Sequence, residues 1–301
     1  MKLSIVSTLY NSPETVPELV DRCLKVGEEF AGDDFEIVLI DDACPGHSAD
    51  IAEEHGRGIP QLRVVRLARN FGQHHALMEG FRQSKGELVF TLDGDLEEEP
   101  EWMLLFHLEM QESGADVVYG YQGRRRGGSL DVFLGWLGFG MIRYFTGFKF
   151  QANLVTARLM TREYVTNLLK FKERVIWIAG LWELTGFVQH GIELEKGRPQ
   201  RSNYSAWYKF KHLVEAILGH SRKPLLLLFG LGIIGALISL AVTVVILLER
   251  IFGEVLDGWA SLLASVWILG GLLLFSNALI AFYISTIFVE VKQRPSVIVR
   301  K

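Results

Sequence analysis

The sequence predicts an α/β domain built on a mostly parallel sheet, followed by interfacial helices and a two-helix transmembrane hairpin. Three observations lead there. Residues 1–120 alternate short β-branched runs with helical segments. The acidic and turn-forming motifs of that region sit directly after the runs. Two long stretches near the C-terminus, Leu225–Leu248 and Gly258–Val289, contain no charged residue.

The strand runs are Leu3–Leu9, Glu36–Ile40, Leu62–Leu67, Leu88–Leu92 and Asp116–Tyr119. One helix is expected to begin at Ser12-Pro13, because Ser caps a helix and Pro fits its first turn. A second follows Asn70, and a third starts near Pro100. Strands alternating with helices in this way indicate a parallel sheet covered on both faces. Such sheets bind ligands at the carboxyl ends of their strands.

After Tyr119 the composition changes. Arg124-Arg125-Arg126-Gly127-Gly128 is basic and glycine-rich, and it leads into Leu130–Phe148, rich in Phe, Trp, Leu and Gly. Residues 205–223 set Trp207, Tyr208, Phe210, Leu213, Ile217 and Leu218 among lysines. Basic, aromatic segments next to a spanning helix suit the membrane interface. The expected plan is therefore an α/β domain over 1–204, including an interfacial segment at 130–148. A juxtamembrane amphipathic helix over 205–223 follows. Two spans then lie within 224–289, at about 225–248 and 259–288, before a basic tail over 290–301.

A spanning helix needs roughly 20 apolar residues, and both uncharged stretches are long enough. Lys209, Lys211, Arg222 and Lys223 precede the first; Lys292, Arg294, Arg300 and Lys301 follow the second. The connector Glu249–Asp257 sets one Arg against Glu249, Glu254 and Asp257. The positive-inside rule then puts both termini and the α/β domain in the cytoplasm. The opening residues Met1–Ile5 do not resemble a signal peptide. Nothing in a chain of formal net charge −4 points to a nucleic-acid partner. The two cysteines, Cys23 and Cys44, lack metal-ligand spacing and fit a reducing compartment without disulfides.

The strongest local signal is Leu92-Asp93-Gly94-Asp95-Leu96, after an apolar strand. Two carboxylates at i, i+2 on a strand end can face one cation. Mg²⁺ or Mn²⁺ takes one or two carboxylates and completes its shell with water and substrate phosphates. The acidic run Glu97-Glu98-Glu99 is expected to be a solvated face at a helix start. Asp41-Asp42-Ala43-Cys44 follows the second strand; carboxylates there can accept from a base N–H or ribose hydroxyls, or one can cap the next turn. Ser7-Thr8-Leu9-Tyr10-Asn11 ends the first strand, where Tyr10 can pack on a base or serve as an ordinary core side chain.

Taken in order, Tyr10-Asn11, Asp41-Asp42, Ala68-Arg69-Asn70-Phe71-Gly72 and Leu92-Asp93-Gly94-Asp95-Leu96 resemble family 2 glycosyltransferases. Arg69-Asn70-Phe71-Gly72, Ala76-Leu77-Met78-Glu79-Gly80, Arg158-Leu159-Met160-Thr161-Arg162 and a two-span C-terminus are similar to one branch of that family. It holds dolichol-phosphate mannose synthases and bacterial polyisoprenyl-phosphate glycosyltransferases. The resemblance covers nearly the whole chain. It implies a GT-A fold, Mg²⁺ or Mn²⁺, a homo-oligomer, and a place in a bacterial inner membrane. It also implies inverting transfer of a sugar from a nucleotide sugar to polyprenyl phosphate, with a UDP-sugar favoured over a GDP-sugar. Thr8, Leu9, Tyr10, Asp41, Asp42 and Asp93 would hold the nucleotide, and Asp93 and Asp95 the metal, with Asp95 the more direct ligand. Three positions depart from the branch: Asn153 stands for an Asp, Gln122 for an Arg, and Asn203 for a Lys.

A phosphate monoester acceptor has a second pKa of about 6 and is largely dianionic near neutral pH. No strong general base is then needed; arginines and a metal must hold two anions together. Arg124, Arg125, Arg126, Arg198 and Arg201 are the candidates, with Arg124 and Arg201 assigned to the reaction beside Asp93 and Asp95. Arg158 is a further candidate, and His74 and His75 are read as helix-start residues. Two other functions share parts of this pattern. A transferase acting on a sugar hydroxyl in polysaccharide or glycolipid synthesis fits the fold, but processive synthases carry a Gln-x-x-Arg-Trp motif that this chain lacks. A non-catalytic membrane scaffold is opposed by the intact Asp93 and Asp95.

Overall fold

The structure is a computed structural model that describes residues 1–123, 129–148, 151, 153–195, 213–214, 217–252 and 258–300. The Arg124–Arg126 run, Arg198, Arg201, Asn203 and most of the expected juxtamembrane helix lie outside the described residues. The chain forms two compact units. One comprises Met1–Phe139, Phe148–Ser205 and Gln293–Lys301; the other comprises Gly140–Gly147 and Ala206–Lys292.

The first unit is built on seven strands. These are β1 (Leu3–Leu9), β2 (Phe35–Asp41), β3 (Leu62–Arg66), β4 (Leu88–Asp93), β5 (Val117–Tyr121), β6 (Leu154–Thr161) and β7 (Gln189–Glu193). Their order is β3-β2-β1-β4-β6-β5-β7. β1 runs parallel to β2 and β4, β2 to β3, and β5 to β7. β6 is antiparallel to both β4 and β5. The five expected strands are present. β6 and β7 are additions. The buried residues of Leu154–Thr161 fall on both faces, Val155, Ala157 and Leu159 on one and Arg158 and Met160 on the other, which blurs the alternation of a half-exposed strand.

Helix α1 (Val16–Ala31) starts later than Ser12-Pro13 suggests. Residues 13–15 form a turn, in which the Thr15 hydroxyl donates to the carbonyls of Ser12 (3.1 Å) and Gly94 (2.8 Å). The proline inside the first turn of the helix is Pro17. Val16, Leu19, Val20, Cys23 and Val26 form its buried stripe, at the helical spacing that makes one apolar face. Burial pushes the Cys23 thiol up to about 12, so it behaves as a core side chain. Helix α2 (Ser48–His55) follows β2, α3 (Gln73–Gln83) follows β3, and α4 (Trp102–Ser113) follows β4. Helix α5 (Ser129–Thr146) covers the expected interfacial segment; α6 (Arg162–Leu168) and α7 (Ile178–Leu184) come after β6.

Two apolar layers sandwich the sheet. On one side Val16, Leu19 and Val20 of α1 and Met103 and Phe106 of α4 pack on Ile5, Leu39 and Phe90. On the other, Leu77 and Phe81 of α3, Tyr164 of α6 and Leu181 of α7 pack on Val6, Val38 and Met160. Val297, beyond the last helix, joins this second layer. Residues 298–300 run antiparallel to the end of β3. Ala68 N–H donates to the Ile298 carbonyl (2.8 Å), Arg300 N–H donates to the Arg66 carbonyl (2.7 Å), and Leu67 bridges Val299.

In the second unit, α8 (Lys223–Phe252) and α9 (Trp259–Val291) have 30 and 33 residues. Among the described residues, one segment is long and apolar enough to cross a membrane. It is Ile268–Val291 within α9, with mean hydropathy 2.1. In α8 the apolar stretch Lys223–Gly235 is shorter. Within this unit the Ser221 hydroxyl donates to the Phe145 carbonyl (2.6 Å), and Tyr283 donates to the Ser221 carbonyl (2.7 Å).

Candidate active site

β1, β2 and β4 are mutually parallel, so the ends carrying Leu9-Tyr10-Asn11, Asp41-Asp42 and Asp93 lie along one edge of the sheet. In register, Leu9 pairs with Asp41 and Thr8 with Asp93. Several non-glycine residues there adopt positive φ: Asn11 (55°), Ala43 (50°), Leu96 (59°) and Asn153 (58°). Left-handed backbone of this kind clusters where a loop must turn sharply at a functional site. Gly94 allows the closest approach. A Cβ on it would lie 2.6 Å from the Thr8 carbonyl oxygen, so only glycine lets the loop between the two aspartates rest on the end of β1.

The two aspartates of that loop are held differently. Asp93 Oδ1 accepts from the Gln73 side-chain amide (2.7 Å), and Oδ2 accepts from the Thr156 hydroxyl (3.0 Å). Asp95 Oδ1 accepts the Glu97 N–H (3.0 Å), and among the described residues its Oδ2 has no hydrogen-bond donor. No cluster of three His, Cys, Asp or Glu side chains among the described residues could hold a metal. A divalent cation at this loop would therefore be bound by one or two carboxylates and finished by substrate oxygens, a donor set that suits Mg²⁺ or Mn²⁺.

Asp41 and Asp42 are both buried, at 6% and 3% exposure. Asp41 Oδ1 accepts the Cys44 N–H (2.9 Å) and so caps its own turn. Asp42 takes the N–H groups of Phe71 (2.6 Å) and Gly72 (2.8 Å), bracing the loop that enters α3. Burial pushes both carboxyls up, against the lowering pull of these amides. Tyr10 is 54% exposed. Thr8 is almost buried, and Leu9 is fully inside the core, so only its backbone faces the site edge.

His74 and His75 lie in the first turn of α3. They contact the backbone carbonyls of Ile176 (2.9 Å) and Arg174 (3.2 Å), tying α3 to the segment before α7. Arg158 is the main departure from the phosphate-binding candidates. Its side chain is 1% exposed, and the guanidinium stacks on the Trp182 ring, 3.0 Å from the centroid. Burial pulls it down to about 10. The guanidinium is thus enclosed in the interior of the domain. Two of the departing positions meet each other. Gln122 N–H donates to the Asn153 carbonyl (3.0 Å), and the Asn153 amide donates back to the Gln122 carbonyl (3.3 Å). Glu98 also departs from the expected solvated face, being 0% exposed.

The family model described as glycosyl transferase family 2 matches residues 4–169, more than half of the chain. The chain belongs to glycosyl transferase family 2. It is similar to a protein of Mycobacterium tuberculosis described as a putative glycosyltransferase, 37% identical over 100% of this chain and 88% of that one. It is also similar to the undecaprenyl-phosphate 4-deoxy-4-formamido-L-arabinose transferase of Proteus mirabilis, 30% identical over 100% of this chain and 93% of that one. Among solved structures, the glucosyl-3-phosphoglycerate synthase of Mycobacterium tuberculosis in complex with UDP matches 73% of this chain and 79% of its own, with a TM-score of 0.50 and 16% identity. That likeness concerns the fold, which is the GT-A fold of this glycosyltransferase. Its relatives include polyisoprenyl-phosphate glycosyltransferases. Two features of its site left no mark in the motif reading: the brace from Asp42 to the α3 entry, and the contacts of Gln73 and Thr156 with Asp93. Neither Gln nor Thr stands out in a sequence until the strands are paired.

Proposed function

We propose that this glycosyltransferase moves a sugar from a nucleotide sugar to a polyprenyl phosphate, with inversion at the anomeric carbon. The observation that carries the reading is the loop at the end of β4. Asp93 is fixed by two side-chain hydrogen bonds, while Asp95, among the described residues, accepts through one carboxylate oxygen and has no donor on the other. Asp95, assisted by Asp93, would hold Mg²⁺ or Mn²⁺, which when bound neutralises the diphosphate of the leaving nucleotide. Tyr10, with the backbone of Thr8 and Leu9 and the Asp41-Asp42 turn, would seat the nucleoside. An oxygen of the lipid phosphate attacks the anomeric carbon from the face opposite the diphosphate. One C–O bond forms as the other breaks, and the nucleoside diphosphate leaves. The acceptor is already anionic, so the site needs no strong base. Arg124, Arg125, Arg126 and Arg201 are assigned to the two phosphates.

The two-helix hairpin is part of the same reading. Leu226, Phe229 and Leu237 of α8 and Ile268, Leu273 and Leu274 of α9 are exposed on the isolated chain. Apolar surface on this scale calls for a nonpolar surrounding, which a bilayer supplies. The described part of α9 meets the requirement of a span by itself. The basic residues flanking the hairpin support a cytoplasmic active site, where a polyprenyl phosphate presents its headgroup. Purified protein, Mn²⁺ and undecaprenyl phosphate, incubated with a panel of labelled UDP- and GDP-sugars, test the reading. One donor is expected to give an organic-extractable product of inverted anomeric configuration. Retention of configuration would sink the mechanism, and label confined to a polymer would favour the sugar-hydroxyl alternative.

A further inference from the structure

β4 and β6 pair antiparallel in a fixed register: Leu88 with Thr161, Val89 with Met160, Phe90 with Leu159 and Thr91 with Arg158. Continued by two residues, that register sets Asp93 opposite Thr156. The ladder does not continue. Asp93 N–H donates to Glu98 Oε2 (3.1 Å), and Thr156 N–H donates to Glu98 Oε1 (2.8 Å). Two amides that an antiparallel ladder would use between the strands end instead on the two oxygens of one carboxylate. On its other side β4 stays paired, with Asp93 still in register with Thr8 of β1. The strands therefore part on one side only, at the residue that begins the Asp93-Gly94-Asp95 loop.

We propose that Glu98 is a positioning residue, a carboxylate wedge that parts β4 from β6 and sets Asp93 for the cation and diphosphate. The wedge and the Asp93 side chain are one assembly. The residue whose N–H completes the wedge, Thr156, also gives its hydroxyl to Asp93 Oδ2 at 3.0 Å. Glu98 is fully buried, and a carboxylate there needs compensation. Its two amide donors supply part. The buried cation of Arg158, carried on β6 itself, attracts it as well. Neutral hydrogen-bonding residues would serve less well. A glutamine keeps the shape of Glu98 but turns an N–H₂ group toward one of the two amides, so one N–H is left without an acceptor.

This inference rests on the assignment of a cation to Asp93 and Asp95, and its test separates the two. Full-length protein in detergent is titrated with Mn²⁺ alone and followed by electron paramagnetic resonance. Amide hydrogen exchange is measured on peptides covering 88–97 and 153–160. Glu98→Gln is expected to weaken Mn²⁺ binding by about 10- to 100-fold, the range seen when a group supporting a metal ligand is removed. Exchange at Asp93 and Thr156 is expected to quicken. Glu99→Gln, one residue along the same acidic run, is expected to change neither. Should Glu98→Gln not fold, Thr156→Val keeps the wedge amide and removes only the hydroxyl. It is expected to weaken Mn²⁺ binding with exchange unchanged. Glu98→Gln with wild-type Mn²⁺ affinity and wild-type exchange overturns the proposal. A wild-type chain that binds no Mn²⁺ sinks the cation assignment alone, and the exchange result still decides the wedge.

Discussion

Asp93, Gly94 and Asp95 show how a short motif becomes a site. Two aspartates at i, i+2 are legible in any sequence, but their unlike roles are not. Asp93 is tied on both oxygens, and Asp95 on one. Glu98 was hidden for the opposite reason, since three glutamates in a row resemble a solvated face and only strand pairing reveals that the middle one is interior. His75 adds a pH dependence. Burial holds its ring below the usual histidine value, so it is neutral in the fold and more readily protonated when the chain unfolds. Stability from burying its neutral ring is therefore complete above about pH 6.5 and is lost as pH falls through the lowered folded value, with the Arg174 carbonyl acting in the opposite direction. Asp42 and Arg69 are the charges that act on it. Asp41 and Asp42, raised by burial, act with the opposite sign, favouring the fold on the acid side of their own lower range. The melting temperature of the wild type is expected to rise from pH 5.5 to 7.5 more steeply than that of His75→Asn. Equal slopes would contradict this account of His75.

At the scale of elements, the parallel half of the sheet was readable because β1 to β4 are separated by helices of ordinary length and end in polar turns. β6 was not, because a strand covered on both faces carries no alternating pattern and its antiparallel direction depends on its neighbours. The last residues of the chain make the same point. Arg294, Arg300 and Lys301 suggest a charged tail, yet 298–300 lie against the edge strand β3 and Val297 is in the core layer. An edge strand left bare invites pairing with other chains, and this segment covers the end of β3. It also steadies Arg66–Ala68, directly before the loop that Asp42 braces. Arg300→Pro removes the N–H that bonds to the Arg66 carbonyl, a loss of about 0.5–1.5 kcal/mol. Faster amide exchange across residues 66–72 is expected in that variant. Unchanged exchange there would show that the segment does not support the loop.

For the whole molecule, the division into an α/β unit and an apolar helical unit was visible in the distribution of charge along the sequence. Hydropathy needs no tertiary context, so α8 and α9 fall where the uncharged stretches are. What the uncharged stretches could not disclose is that the chain, after α9, returns to the first unit. The most direct test compares wild type with Asp95→Asn in membranes given a labelled nucleotide sugar, Mn²⁺ and undecaprenyl phosphate. Wild type is expected to move label into the organic phase, and Asp95→Asn, inserted equally well, to do so at least about 100-fold more slowly. Transfer at the wild-type rate by Asp95→Asn would contradict the account.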